Sequence, residues 1–348
     1  KRSKLAVLII LGSTLNMMAQ ENVEADSHAH NNMPTPEQID SLLHVITPSK
    51  KHAAKFSKLV VQDAGGRMKP INTFSSELLR KLSLKDKYTD FNSDQVFLSM
   101  MLNPAAWYNA EFIALDKKGD NDSIRKILDV EHARKYIKAT DFFNEKGEYK
   151  LTPFLREAYA TNTPNQFQKD FKALDERLVL LDQALGGEIV KIFPLLNDDN
   201  NKWISAVEYR GGQYQVSDSL YANFIKNAVP FYLMSLEKAV KTGDYSEADK
   251  LLAAFKKNQE NHGSEVLPSE SKINAEVFYN KADIYNKLYK YYALVGLLMF
   301  VLLVFQIIKD RKALRFSIAG IKVLIYVFFV LHTLGLGMRW YISGHAPW

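Results

Sequence analysis

The sequence predicts a mainly α protein: an exported helical domain with minor β structure, followed by two transmembrane helices. Three observations carry this expectation. Apolar residues make up 47% of the 348-residue chain, but they crowd its two ends. The long middle shows helical periodicity with repeated cap and stop signals. Two apolar runs near the C-terminus are each long enough to cross a bilayer and are joined by a basic segment.

Taken in order, Lys1-Arg2-Ser3-Lys4 precedes a short apolar run from Leu5 to Ala19. Residues 1–20 therefore read as a signal peptide or N-terminal anchor. Residues 21–35 are polar and hold His28 and His30; they read as a disordered linker. Residues 36–288 read as the extracytoplasmic, mainly helical domain. Within it Thr35-Pro36, Thr152-Pro153 and Thr163-Pro164 each suggest a helix start. Phe167, Phe171, Leu174, Leu178, Leu181 and Leu185 keep helical spacing until Gly186-Gly187. Lys58 to Gln62 and Glu188 to Phe193 suggest strands, and Trp203 to Arg210 reads either way. Around Gly243-Asp244 two amphipathic runs form a helical hairpin. The helix over Ser271 to Leu288 has no clear breaker before the first span, which predicts a continuous rod into the membrane.

Residues 289–308 and 316–338 are the expected spans, with 309–315 as a cytoplasmic loop carrying Lys309, Arg311, Lys312 and Arg315. The positive-inside bias places that loop in the cytoplasm. The helical domain and residues 339–348 then lie on the outer face of the inner, cytoplasmic membrane, in the periplasm. Membrane lipid is thus an expected partner. A net charge of +6, with no basic stripe interleaved with aromatics, gives no sign of a nucleic-acid partner. With no cysteine, structural disulfides, thiolate metal sites and a thiol nucleophile are excluded. No catalytic constellation and no metal motif emerges; Asn197 to Asn201 lacks the glycine and distal glutamate of a calcium loop.

Two groups of residues carry candidate chemistry. Gly65-Gly66 with Arg67 and Lys69 offers an anion or partner contact, or else a tight turn before a helix capped by Thr73; the turn is the preferred reading. At the other end, His332 lies inside the second span, where a titratable residue is costly. It reads as an axial haem ligand or as a neutral imidazole bonded to a neighbouring helix. Beyond it Arg339, Trp340, His345 and Trp348 could hold a planar anionic ligand or could anchor the chain at the interface. Spacing alone favours the anchor.

Arg339-Trp340 followed by Ser343-Gly344-His345-Ala346-Pro347 resembles the opening motif of the CcsA/ResC family of cytochrome c biogenesis proteins. Val61-Gln62-Asp63, Gly66 to Thr73, Asn92 to Val96 and Lys191 to Trp203 resemble the Bacteroidetes-type branch of that System II family. The resemblance implies a C-terminally truncated fragment of a haem-handling protein. It implies haem as cofactor of the full-length protein, and haem delivery and attachment to apocytochrome c at the outer face. It also implies a ResB/Ccs1-like component, separate or fused, as partner. The longer protein would act within a holocytochrome c synthase, with this fragment inactive alone. The family's tryptophan-rich haem loop and its flanking histidines are not among residues 1–348, so those ligand roles do not transfer to His332 or His345. Two other readings remain: a membrane-anchored periplasmic scaffold, or part of a transporter with a large periplasmic insertion.

Overall fold

The computed structural model describes residues 34–115 and 122–345. The expected signal, most of the linker and Trp348 lie outside the described residues. The chain opens with α1 (Pro36–Ile46) and α2 (Lys50–Phe56), then the hairpin β1 (Val60–Gln62) and β2 (Met68–Pro70) leads into α3 (Ile71–Ser83). Next come β3 (Lys87–Tyr88), β4 (Phe91–Asn92), α4 (Ser93–Leu102), α5 (Pro104–Tyr108), β5 (Ile113–Ala114), α6 (Asp122–Leu128) and β6 (Tyr136–Ile137). The middle holds α7 (Thr152–Ala160), α8 (Gln166–Gly186), β7 (Phe193–Pro194), β8 (Trp203–Ile204) and α9 (Ala206–Arg210). The rest is helical: α10 (Ser219–Thr242), α11 (Ser246–His262), α12 (Glu270–Ala282), α13 (Ile284–Ile308) and α14 (Lys312–Ser343). Among the described residues the strands form four separate two-stranded antiparallel pairs, in accord with the expected mainly α class.

Local chemistry accounts for most boundaries. Thr35 does cap α1, and its capping box with Gln38 satisfies two amides. Thr152 and Thr163 do not cap. Thr152 is already inside α7, and the capping box of α8 is built by Asn165 and Gln168 two residues after Thr163. Gly187 (φ 76°) ends α8 and Gly243 (φ 79°) ends α10, both left-handed as a glycine stop requires. The stretch from Trp203 to Arg210 divides into β8 and α9, because Ser205 and Glu208 form a capping box between them.

The main core gathers Leu43, Phe56, Leu79, Phe97, Trp107, Phe171, Phe193 and Tyr232 from elements distant in sequence. A small second cluster joins Val60, Trp203 and Ile273, so α12 is packed against the first hairpin. Here backbone and ring approach closely: a Cβ on Gly263 would lie 2.5 Å from Trp203 Cζ2 and 2.9 Å from Pro194 Cγ.

The C-terminal helices behave differently. Both are long and apolar enough to span a membrane. They are antiparallel, with Phe328 of α14 against the rings of Tyr291 (5.9 Å) and Tyr292 (5.5 Å) of α13. Their outer surfaces are apolar and open, with Ile307 84% and Phe316 78% exposed. A soluble core helix would bury such residues; a lipid-facing helix leaves them so.

Within the expected 309–315 loop, Lys312 to Arg315 already belong to α14 as good helix formers, and Arg315 bonds back to Asp310. One expectation is corrected. The rod from Ser271 to Leu288 is broken at Asp283 (φ 46°), a left-handed residue between α12 and α13. Aspartate tolerates that conformation better than most residues.

Candidate functional site: the junction of the helical region and the membrane helices

The segments that carry the branch resemblance meet in one place. Gln62 is the hub of the first part. Its Oε1 accepts from the Trp203 amide at 2.7 Å and its Nε2 donates to the Asn201 carbonyl at 3.2 Å. The Gln62 amide donates to the Lys191 carbonyl at 3.1 Å. Gln259 of α11 completes the seam: it accepts from the Val60 amide and donates to the Val60 and Ile192 carbonyls. Strands this short leave backbone groups without ladder partners, and the two buried amide side chains supply them.

The second part is a buried polar knot at the starts of α3 and α4. Asn72 Nδ2 reaches both Asp94 oxygens at 2.9 Å, and Ser75 Oγ donates to Asp94 at 3.0 Å. Asp94 is 1% exposed, and it lies in the first turn of α4, where exposed backbone amides favour an anion. Asn280 of α12 adds to the knot, donating to Asn72 Oδ1 and Ser76 Oγ at 2.9 Å each.

Arg67 and Lys69 lie on this same face, and carboxylates of the chain meet both. Lys69 Nζ is 2.6 Å from Asp63 and 2.8 Å from Glu77. Burial works against the Lys69 charge, but the two carboxylates outweigh it and hold the ammonium above its ordinary value. Arg67 Nη2 is 2.7 Å from Glu276 of α12. Burial pushes the Glu276 carboxyl up, and the Arg67 guanidinium opposes it only in part. The glycine turn itself is closed by Asp63, whose Oδ1 accepts from the Gly65 and Arg67 amides. Thr73 is not a cap: it sits inside α3, whose first residue follows Pro70.

The membrane-end candidates are spread along α14. His332 is half-buried, edge-on to the Tyr285 ring at 5.0 Å. Arg339 is exposed on the side of Tyr279; burial raises the Tyr279 hydroxyl above its ordinary value while the Arg339 charge pulls it down. Trp340 is 59% exposed. Tyr341 turns towards α12, its hydroxyl 3.0 Å from Ser271 Oγ and its ring under Lys272. Gly344 (φ 75°) ends the helix, and Ser343 Oγ donates to the His345 carbonyl at 2.8 Å. About 16 Å of helix axis separates His332 from Ser343, so the two imidazoles do not converge. Trp340 lies open. The described residues therefore do not assemble an enclosed haem pocket by themselves.

The chain is similar to Protein NrfI of Wolinella succinogenes. Identity is 31% over 307 residues, which is 86% of this chain and 32% of the relative. The chain thus spans about a third of the length of the curated relative it matches. No protein-family model matches it.

Sequence reasoning did not find Gln259, Asn280 or the Tyr285–Gly335 and Ser271–Tyr341 contacts. Ile273, Glu276 and Asn280 recur at helical spacing, so a mixed polar and apolar buried face on α12 was detectable in principle.

Proposed function

We propose that this chain is part of a cytochrome c biogenesis protein that delivers haem to apocytochrome c at the outer face of the membrane. The observation that carries the reading is the Arg339-Trp340…Ser343-Gly344-His345 sequence at the end of α14, the motif resembling the start of the CcsA/ResC haem-handling unit. Its placement is consistent with that role, because α14 brings it beside α12 and hence beside the helical region. The match to NrfI supports the reading in that one alignment takes in 86% of the chain rather than a single motif. In this reading the helical region is an accessory that docks a ResB/Ccs1-like component or apocytochrome c, and haem chemistry belongs to the cofactor.

The test is complementation. The full protein is expressed with its partner component in cells that lack their own cytochrome c maturation, together with a reporter apocytochrome. Denatured reporter should retain covalently bound haem on a stained gel. A haem-free reporter, with the protein present in the membrane, overturns the reading.

A further inference from the structure

We propose that the upper part of α14 is a splint across the break between α12 and α13, and that Gly335 and Tyr341 are its positioning residues. The break at Asp283 removes the continuous rod that would couple the helical region to the membrane. A left-handed residue between two helices is a natural pivot, and without a further contact α12 could swing on α13. Two features of α14 oppose this. Below the break, Tyr285 of the first turn of α13 fits a notch made by Gly335: a Cβ there would lie 3.2 Å from the Tyr285 hydroxyl and 3.3 Å from its ring carbon. Ile284, the first residue of α13, borders the same notch at 3.6 Å. Above the break, Tyr341 holds Ser271 and Lys272 at the start of α12.

The two contacts are six residues apart on one uninterrupted helix, about 9 Å along its axis. Its length permits this. A helix of 32 residues is about 48 Å long, whereas the hydrocarbon core of a bilayer is about 30 Å. The excess is enough to stand beside α12. Along its length α12 is joined to the helical region through Arg67–Glu276, Asn280–Asn72 and Ile273–Trp203. The path from the first hairpin to Arg339 is therefore α12, then α14. The splint sets the height and rotation of Arg339 and Trp340 relative to the helical region. This inference does not rest on the haem-handling reading.

A matched glycine pair tests it. Gly337 is on the same helix, and a Cβ there meets nothing within 4 Å, whereas Gly335 is in the notch. The chain has no cysteine, so nitroxide labels can be placed singly on Lys257→Cys and Leu297→Cys, both exposed. Their separation is measured by pulsed electron paramagnetic resonance in lipid nanodiscs. The parent should give a narrow distance distribution, and Gly337→Leu should reproduce it. Gly335→Leu should shift and broaden it while the thermal midpoint of the helical region stays unchanged. If Gly335→Leu does not insert, Tyr285→Ala empties the notch from the other side and should broaden the distribution alike. A broad distribution in the parent, or equal behaviour of the two glycine variants, overturns the proposal.

Discussion

The seam around Gln62 and the α13–α14 hairpin are held by opposite means. At the seam, buried amides and carboxyls make the contact: Gln62, Gln259, Asn72 and Asp94 each satisfy groups that burial would otherwise orphan. In the hairpin, contact rests on ring packing, a glycine notch and a few buried aliphatics, Leu288, Val295 and Ile318, while most large apolar side chains point outward. The difference follows from the surrounding medium. Short strands enclosed by protein need side-chain partners for their backbone groups. Helices in lipid satisfy their own backbone and gain most from close approach at small residues. The α12 helix touches both regimes, with Glu276 and Asn280 on one side and Ser271 beside Tyr341.

Two tryptophans give the largest expected contrast. Trp203 is 1% exposed and fills the gap between Val60, Ile273 and Gly263. Trp203→Ala should cost about 3–5 kcal/mol, as large-to-small changes in cores do. Trp340→Ala, at a site 59% exposed, should leave the unfolding midpoint of the helical region nearly unchanged. Thermal unfolding in detergent followed by far-ultraviolet circular dichroism separates them. Equal losses would mean that the two regions do not differ as described.

A smaller effect divides the two sides of the helical region by pH. His52 is buried, with Nδ1 2.9 Å from Asp249 and Nε2 3.0 Å from the Tyr232 hydroxyl. A neutral ring serves both, donating from Nδ1 and accepting at Nε2. Burial holds its imidazole below the ordinary value, and Asp249 opposes this only in part. The unfolded chain therefore takes up the proton first, and the His52 contribution to stability is lost as pH falls below about 6.5. Glu276 acts with the opposite sign. Its folded value is raised, so its contribution is lost as pH rises above the unfolded value of 4.5. His52→Gln should flatten the acid side of the stability profile and Glu276→Gln should flatten the side above pH 4.5. Unchanged profiles in either variant contradict the corresponding burial argument.

Much of the framework was legible from local pattern. Hydropathy marks both membrane helices, and Thr35, Gly187 and Gly243 mark three helix ends, because spans and caps depend on neighbouring residues alone. Long-range choices were not legible. The Thr163 cap lost to Asn165, two residues on, where a capping box with Gln168 was available. Asp283 carries no stop signal beyond its tolerance of the left-handed region, so the break was invisible. Arg67 looked available for an anion because its partner Glu276 lies 209 residues away, whereas Lys69 is met by the nearby Asp63 and Glu77. The candidate site was half legible in the same way. The motif segments were recognisable one by one, but nothing local says that Gln62 bonds to Trp203 across 141 residues.

We propose that the helical region and the Arg339–Trp340 end of α14 share the outer face of the membrane. Single cysteines at Lys257, Arg311 and Ser343 in this cysteine-free chain test it with a membrane-impermeant maleimide. In intact cells the positions of Lys257 and Ser343 should be labelled, and that of Arg311 only after permeabilisation. Labelling of the Arg311 position in intact cells, or protection of either of the other two, contradicts it.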